Sequence, residues 1–127
     1  MAIKELSQRQ LKVGQEIRKI IAGLIERGEI RNLQEFDALV TITEVRVSPD
    51  LKYSNVYFIS SDDTMNEQVL EGLQLAANYF RKQIAAKTDL RYVPEVVFKI
   101  DESFAEVDKI EKLLHDDRVK RDLKKSV

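Results

Sequence analysis

Residues 39–60 have the sequence LVTITEVRVSPDLKYSNVYFIS, and this stretch decides the fold because it predicts a β-hairpin. The segments 39–47 and 52–60 are rich in β-branched and aromatic side chains, which favour strands. Between them, Ser48-Pro49-Asp50 is a turn signature, since proline fixes φ and small polar residues bond to nearby backbone. The pattern therefore predicts two antiparallel strands joined by a short turn.

The apolar side chains of the first predicted strand change face partway along it. Val40 and Ile42 share one face, whereas Val45 and Val47 fall on the other. A β-bulge near Thr43–Glu44 would restore a single apolar face, and a strand buried on both faces would also fit. The sequence leaves these two alternatives open.

An amphipathic helix is predicted before the hairpin, over residues 8–27. Ser7 and Gln10 have the spacing of a capping box, and Gly28 is a typical C-terminal stop. The apolar residues at helical spacing form one stripe: Val13, Ile17, Ile20, Ile21 and Leu24. This stripe predicts the face of the helix that packs on the sheet.

A second helix is predicted after the hairpin, through residue 87. Thr64 and Glu67 again have the capping-box spacing. In residues 75–82, LAANYFRK, small residues and an asparagine stand in mid-helix. Asparagine tolerates left-handed backbone, so a helix break at 76–78 is one interpretation and one continuous helix is the other.

The last elements predicted are a strand and a helix. From Pro94 onward, Val96, Phe98 and Ile100 alternate as in a strand with one buried face. Ser103 begins a third capping-box pattern and a final helix, and the tail beyond Val119 is polar. The order α-β-β-α-β-α indicates one α+β domain with its helices on one face of the sheet.

Composition restricts the protein classes that remain. The 127 residues are enough for one domain, and the absence of cysteine excludes disulfides and thiolate chemistry. No run approaches the roughly 18 apolar residues of a membrane span, which predicts a soluble cytoplasmic protein. The net charge of −1 is unevenly distributed: residues 1–31 and 71–99 are basic, and residues 32–70 are acidic. The first and third blocks could together form a basic face.

The side chains that could act in catalysis or bind a metal ion are not arranged in a pattern that favours either role. The single histidine, His115, stands beside two aspartates that point in different directions on a helix. The acidic pairs Asp62-Asp63 and Asp101-Glu102 precede helices, where capping favours negative charge. The four glycines are too scattered for a phosphate-binding loop. We therefore expect no catalysis, no metal and no cofactor.

The basic residues suggest a nucleic-acid contact. Lys12 and Lys19 stack on the outward side of the first helix, with Arg9 and Arg18 at its two edges. Such a row could track phosphates or could be a solvated helix face, and the pattern leaves both open. A break at 76–78 would present backbone N–H groups to a phosphate. Further cations lie along the same part of the chain, at Arg81, Lys82, Lys87 and Arg91.

Three passages together resemble the ribosome-binding factor A family of bacterial small-subunit assembly factors. They are the hairpin segment 45–57, the segment 73–81 around the possible break, and the segment 90–101 (LRYVPEVVFKID). The resemblance implies a type II KH-like fold in the order α-β-β-α-kink-α-β plus a C-terminal helix. This domain would span residues 1–119, with 120–127 as a flexible basic tail. In the family the kink is an Ala-x-Gly motif, whereas this chain has Ala76-Ala77-Asn78.

The resemblance also implies the function. It predicts a non-enzymatic, monomeric, cytoplasmic factor that binds the free or immature 30S subunit through 16S rRNA. Such a factor supports maturation of the 5′ region of that RNA and growth in the cold, and it has no membrane or small-molecule partner. The predicted RNA-binding residues are Arg9, Lys12, Arg18, Lys19, Ala76, Ala77, Asn78, Tyr79, Arg81, Lys82, Lys87 and Arg91. Tyr79 could stack on a base or pack against the sheet. The alternatives are a KH-like protein-interaction module without RNA binding and a small hydrolase.

Overall fold

A computed structural model of the chain describes residues 6–33 and 38–103. The helices and strands of these residues follow the order α1-β1-β2-α2-α3-β3. Their bounds are α1 Gln8–Glu26, β1 Val40–Val47, β2 Tyr53–Ser60, α2 Asn66–Leu75, α3 Ala77–Lys87 and β3 Glu95–Ile100. The predicted C-terminal helix and basic tail, with His115, lie outside the described residues.

Strand β2 lies at the centre of the sheet formed by the described strands. It pairs antiparallel with β1, as the hairpin prediction requires, and parallel with β3. The register changes between Ile42 and Glu44, which confirms the β-bulge. The bulge brings Ile42 and Val47 into the same buried cluster, although their separation in sequence would place them on opposite faces of a regular strand.

The helices cover one face of the sheet. Helix α1 packs on β1, and α2 and α3 pack on β3. Alternate residues of the strands are buried beneath these helices, with Phe58 and Phe98 among them, and the intervening residues face outward. The prediction of helices on a single sheet face is thus confirmed for the described residues.

Helix α1 begins and ends where the sequence predicts. The Ser7 hydroxyl accepts from the Gln10 N–H (3.1 Å), and Gln10 Oε1 accepts from the Ser7 N–H (2.9 Å), which forms the predicted capping box. Gly28 has a φ of 70°, the left-handed conformation that favours glycine after a helix. Of the predicted stripe, Ile20 is only half-buried and the other members are fully buried.

The predicted capping box at the start of the second helix is wrong. Thr64 lies in a 3₁₀ turn (Asp63–Met65), and α2 begins after it without a side-chain cap. Asp62 Oδ1 accepts from both the N–H (3.1 Å) and the hydroxyl (2.6 Å) of Thr64. The Thr64 hydroxyl thus donates to the carboxylate two residues upstream, and it accepts no capping hydrogen bond from α2.

Two glutamine side chains each bond to one backbone group at an outer edge of the sheet. Gln10 of α1 is buried and donates from Nε2 to the Val47 carbonyl at the edge of β1 (2.9 Å). Gln74 of α2 accepts the Phe98 N–H at the edge of β3 (3.1 Å). Gln10 thus fixes α1 to β1, and Gln74 fixes α2 to β3.

Candidate nucleic-acid interface

A groove of about 580 Å³ runs between α1 and the C-terminal end of α3. Four of the predicted RNA-binding cations line it, namely Arg9, Lys12, Lys19 and Lys87. Lys12 and Lys19 stand on the outward side of α1, and Arg9 at its edge, because the apolar stripe holds the opposite side on the sheet. Lys87 joins them because α3 packs beside α1 and ends there.

The groove also contains two carboxylates, Glu16 and Asp89. The cations outnumber them, so the lining is positive although the chain as a whole carries a net charge of −1. The carboxylates would repel an anion from their own positions, so an anion in the groove would be held beside the cations.

A second hollow of about 440 Å³ continues the groove toward the hairpin turn. It shares Arg9 and Asp89 with the first and adds Lys52 and Arg91. We refer to the two hollows together as the basic groove. Lys52 was not among the predicted residues, because it lines the same hollow as Arg9 only through the packing of the hairpin near α1, which no local pattern signals.

The turn beside Lys52 is held by Asp50. Its Oδ1 accepts from the Ser48 hydroxyl (2.6 Å) and from the Lys52 N–H (3.1 Å). These two hydrogen bonds lower the pKa of the Asp50 carboxyl below its ordinary value. Leu51 between them has a φ of 61°, so the turn is closed by a non-glycine residue in the left-handed region.

Arg81 is engaged within the protein. Its Nε and Nη2 donate to the Val93 carbonyl (3.2 and 2.9 Å), and its guanidinium lies 5.7 Å from the centre of the Tyr92 ring. These contacts tie α3 to the loop before β3. They also hold Arg91 and Tyr92, the neighbours of that carbonyl, at the edge of the basic groove.

The helix break at 76–78 exists, but its cause differs from the prediction. Ala76 has φ −89° and ψ 1°, and its N–H is shared between the carbonyls of Gly72 (3.2 Å) and Leu73 (3.1 Å). Asn78 lies in α3 and does not adopt the left-handed conformation that we expected of it. Ala76 and Ala77 pack against the core, where larger side chains would not fit as closely.

Asn78 and Tyr79 are among the exposed side chains beside the break. The Tyr79 ring is 39% exposed and meets the buried Phe80 ring edge-on, with centroids 6.3 Å apart. Lys82 is exposed further along the same helix. About nine residues of helix separate Asn78 from Lys87, roughly 14 Å of rise, so the break and the basic groove are separate parts of the surface.

Arg18 stands on a third part of the surface, apart from both. It lines a groove of about 360 Å³ between α1 and β1, together with Glu26 and Val40. Lys19 borders this groove as well as the basic groove. The structure thus brings together five of the predicted cations, Arg9, Lys12, Lys19, Lys87 and Arg91, and leaves the others elsewhere.

Residues 6–33 and 38–103 contain no cluster of acidic, histidine or cysteine side chains that could hold a metal ion. Their buried side-chain nitrogen and oxygen atoms all have hydrogen-bond partners. None of the helices in this part of the chain has the length and apolar character that a bilayer crossing requires.

Most of the chain matches a known protein family. Residues 9–114 match the family described as "Ribosome-binding factor A". A protein of that name from Paramagnetospirillum magneticum is 39% identical over 120 residues, which cover 94% of this chain and 84% of the relative.

Two structural comparisons show the same fold. The crystal structure of ribosome-binding factor A from Thermus thermophilus aligns with a TM-score of 0.61 and 22% identity, covering 72% of this chain and 94% of that one. A homology model of the Thermus thermophilus protein, fitted into a cryo-electron microscopy map of its complex with the 30S subunit, aligns with a TM-score of 0.54 and 23% identity. That alignment covers 68% of this chain and 88% of the other.

Proposed function

The chain belongs to the ribosome-binding factor A family, and from that premise we propose that it binds the free or immature 30S ribosomal subunit through 16S rRNA. The bound factor holds one local arrangement of the RNA while its 5′ region matures. Rearrangement of RNA slows as temperature falls, so the requirement for the factor is greatest in the cold. It acts in the cytoplasm, where the subunits assemble, and catalyses no reaction.

The observation that carries this proposal is the basic groove. Its cations come from α1, from the hairpin turn, from the end of α3 and from the loop before β3, and they line one continuous surface. Phosphate contacts of this kind position RNA without reading its sequence. They also release counterions, so the affinity must fall as salt rises. The Thermus thermophilus homology model fitted into a map of a 30S complex supports the choice of the small subunit.

We propose a subsidiary role for the helix break. The order α1-β1-β2-α2-α3-β3, with α2 and α3 meeting at Ala76, supports a type II KH-like assignment. The side chains of Ala76 and Ala77 pack against the core, so the backbone there would be the part that a nucleic-acid strand approaches. Tyr79, which is exposed beside them, is available for stacking on a base. Lys82 is placed to contact the phosphates of the same strand.

The test is sedimentation of the purified protein with separated small and large subunits at two salt concentrations. We expect comigration with the small subunit alone, with less protein bound at the higher salt. Reversing two groove charges, Lys12→Glu with Lys19→Glu, is expected to weaken binding by about tenfold or more.

The matched control reverses two cations on the opposite, helix-free face of the sheet. Arg46→Glu with Lys99→Glu changes the net charge by the same amount, and both side chains are exposed there. We expect this variant to bind nearly as well as the parent protein. Equal losses in both variants would contradict the assignment of the groove. Binding that does not change with salt concentration would instead favour a protein-interaction module without RNA contacts.

A further inference from the structure

The hollow of about 440 Å³ at the hairpin end of the basic groove combines apolar and basic side chains. Its apolar lining residues are Val13, Leu51, Leu90, Tyr92 and Pro94. Those at positions 13 and 94 are buried, whereas the cations of the hollow, Arg9, Lys52 and Arg91, are exposed. The hollow therefore has an apolar floor and a basic rim.

Tyr92 is the aromatic residue of this lining, and it is 53% exposed. Its ring centre lies 5.7 Å from the guanidinium carbon of Arg81, which also donates two hydrogen bonds to the Val93 carbonyl. An exposed side chain ordinarily loses rotational freedom when another group packs on it. Because Arg81 already restricts this ring, stacking on its exposed part costs less than stacking on a mobile tyrosine.

The carboxylates of Asp50 and Asp89 also line the hollow. A carboxylate repels a phosphate, but it accepts hydrogen bonds from the N–H groups at the edge of a nucleobase. The interior of the hollow therefore suits a base, which has an apolar face and N–H donors. The basic rim suits the phosphates that precede and follow that base in a strand.

We propose that this hollow receives one unpaired base of the bound RNA, which stacks on Tyr92 while the rim cations hold the adjacent phosphates. A base in a duplex is enclosed between its neighbours, so only an unstacked base can enter. The inference rests on the proposed function and adds an unpaired nucleotide to what the basic groove recognises. Phosphate contacts along the groove position the RNA, and the base contact selects a site where a base is free.

The first test changes only the RNA. It measures binding of the full chain to a short labelled RNA hairpin whose stem carries one bulged adenosine. The controls are the same hairpin with an abasic nucleotide at the bulge, which keeps every phosphate, and the fully paired stem. We expect the bulged hairpin to bind about tenfold more tightly than either control, which is the range of one base–aromatic stacking contact. Equal affinity for the three RNAs would overturn the proposal.

The second test changes the ring. Tyr92→Leu is expected to weaken binding of the bulged hairpin about tenfold and to leave the abasic hairpin unaffected. The salt dependence should stay the same, because stacking releases no counterions. Tyr92→Phe retains the stacking surface and should bind within about threefold of the parent. Tyr53→Leu is the matched control, since Tyr53 is 48% exposed on the helix-free face of the sheet. Its affinity should equal that of the parent.

Sedimentation with the small subunit separates this inference from the proposed function. If the parent protein binds the small subunit in a salt-sensitive way but Tyr92→Leu still distinguishes the bulged from the abasic hairpin as the parent does, only the base site is overturned. If the parent protein fails to bind the small subunit, the proposed function and the base site are overturned together.

Discussion

Gly14 of α1 packs directly on the main-chain carbonyl of Val45. A Cβ atom at position 14 would stand 2.8 Å from the Val45 oxygen, closer than side-chain atoms ordinarily come to backbone. One turn earlier, Gln10 binds the carbonyl of Val47. These two contacts fix the height and rotation of α1 on the sheet, and with them the positions of the cations that α1 brings to the basic groove.

Replacing Gly14 by alanine should destabilise the protein although alanine is the better helix former. The clash is with backbone that cannot rotate away, so α1 must shift, at a cost of about 1–3 kcal/mol. Gly23→Ala is the matched control on the same helix, since its Cβ would meet only the flexible end of Arg27 at 3.1 Å. We expect that change to stabilise by up to about 1 kcal/mol. Urea unfolding of both variants measures the change in the free energy of unfolding. If both changes had the same sign, the close packing at Gly14 would be contradicted.

Local sequence patterns predicted those elements that depend on residues close together in the chain. The capping box at Ser7 depends on residues within one helical turn, and the bulge near Thr43 follows from a change of face within one strand. The start of α2 was predicted wrongly because Asp62 and Thr64 are both capping residues, and their competition is decided by backbone geometry. The break at 76–78 was located correctly, but for the wrong reason: Ala76 interrupts the helix and Asn78 stays within it.

The candidate site was predictable only in part. Helical periodicity alone placed Lys12 and Lys19 on the outward side of α1. Lys87 and Lys52 line the same groove because of how α3 and the hairpin pack relative to α1. Packing between segments that are distant in the sequence cannot be predicted from a local pattern. The hydrogen bonds of Arg81 to the Val93 carbonyl arise from a loop folding back on α3, so the sequence could not distinguish this arginine from one available to phosphate.

Arg81 and Lys87 should therefore respond differently to neutralisation. Arg81→Gln removes two hydrogen bonds to the Val93 carbonyl and is expected to cost about 1–3 kcal/mol of folding stability. Lys87→Gln should leave stability nearly unchanged and reduce the salt dependence of small-subunit binding by about one in log–log slope. Thermal unfolding and binding at several salt concentrations measure the two effects. If Arg81→Gln reduced the salt dependence of binding and left folding stability unchanged, the proposed structural role of Arg81 would be disproved.

The hairpin turn should loosen in acid because of Asp50. Its pKa is lowered by the Ser48 hydroxyl and the Lys52 N–H, so the folded turn favours the ionised carboxyl. The stability that this carboxylate provides is present above its ordinary pKa and is lost as the pH falls through the lower, folded value. An NMR titration of the Asp50 carboxyl carbon and the Lys52 amide should show one shared transition below the ordinary aspartate range. Asp50→Asn serves as the control, and its Lys52 amide should lack this transition. An ordinary or raised pKa of the Asp50 carboxyl would contradict the two hydrogen bonds.

The helix break makes position 78 tolerant of glycine. Asn78 lies in the first turn of α3, and asparagine is already a poor helix former, so Asn78→Gly should cost less than about 0.5 kcal/mol. Ala85→Gly, at an exposed position in the interior of the same helix, should cost about 1 kcal/mol. Urea unfolding of the two variants compares these costs directly. A larger loss from Asn78→Gly would mean that α2 and α3 behave in solution as one continuous helix, and it would remove the close backbone approach proposed for RNA at residues 76 and 77.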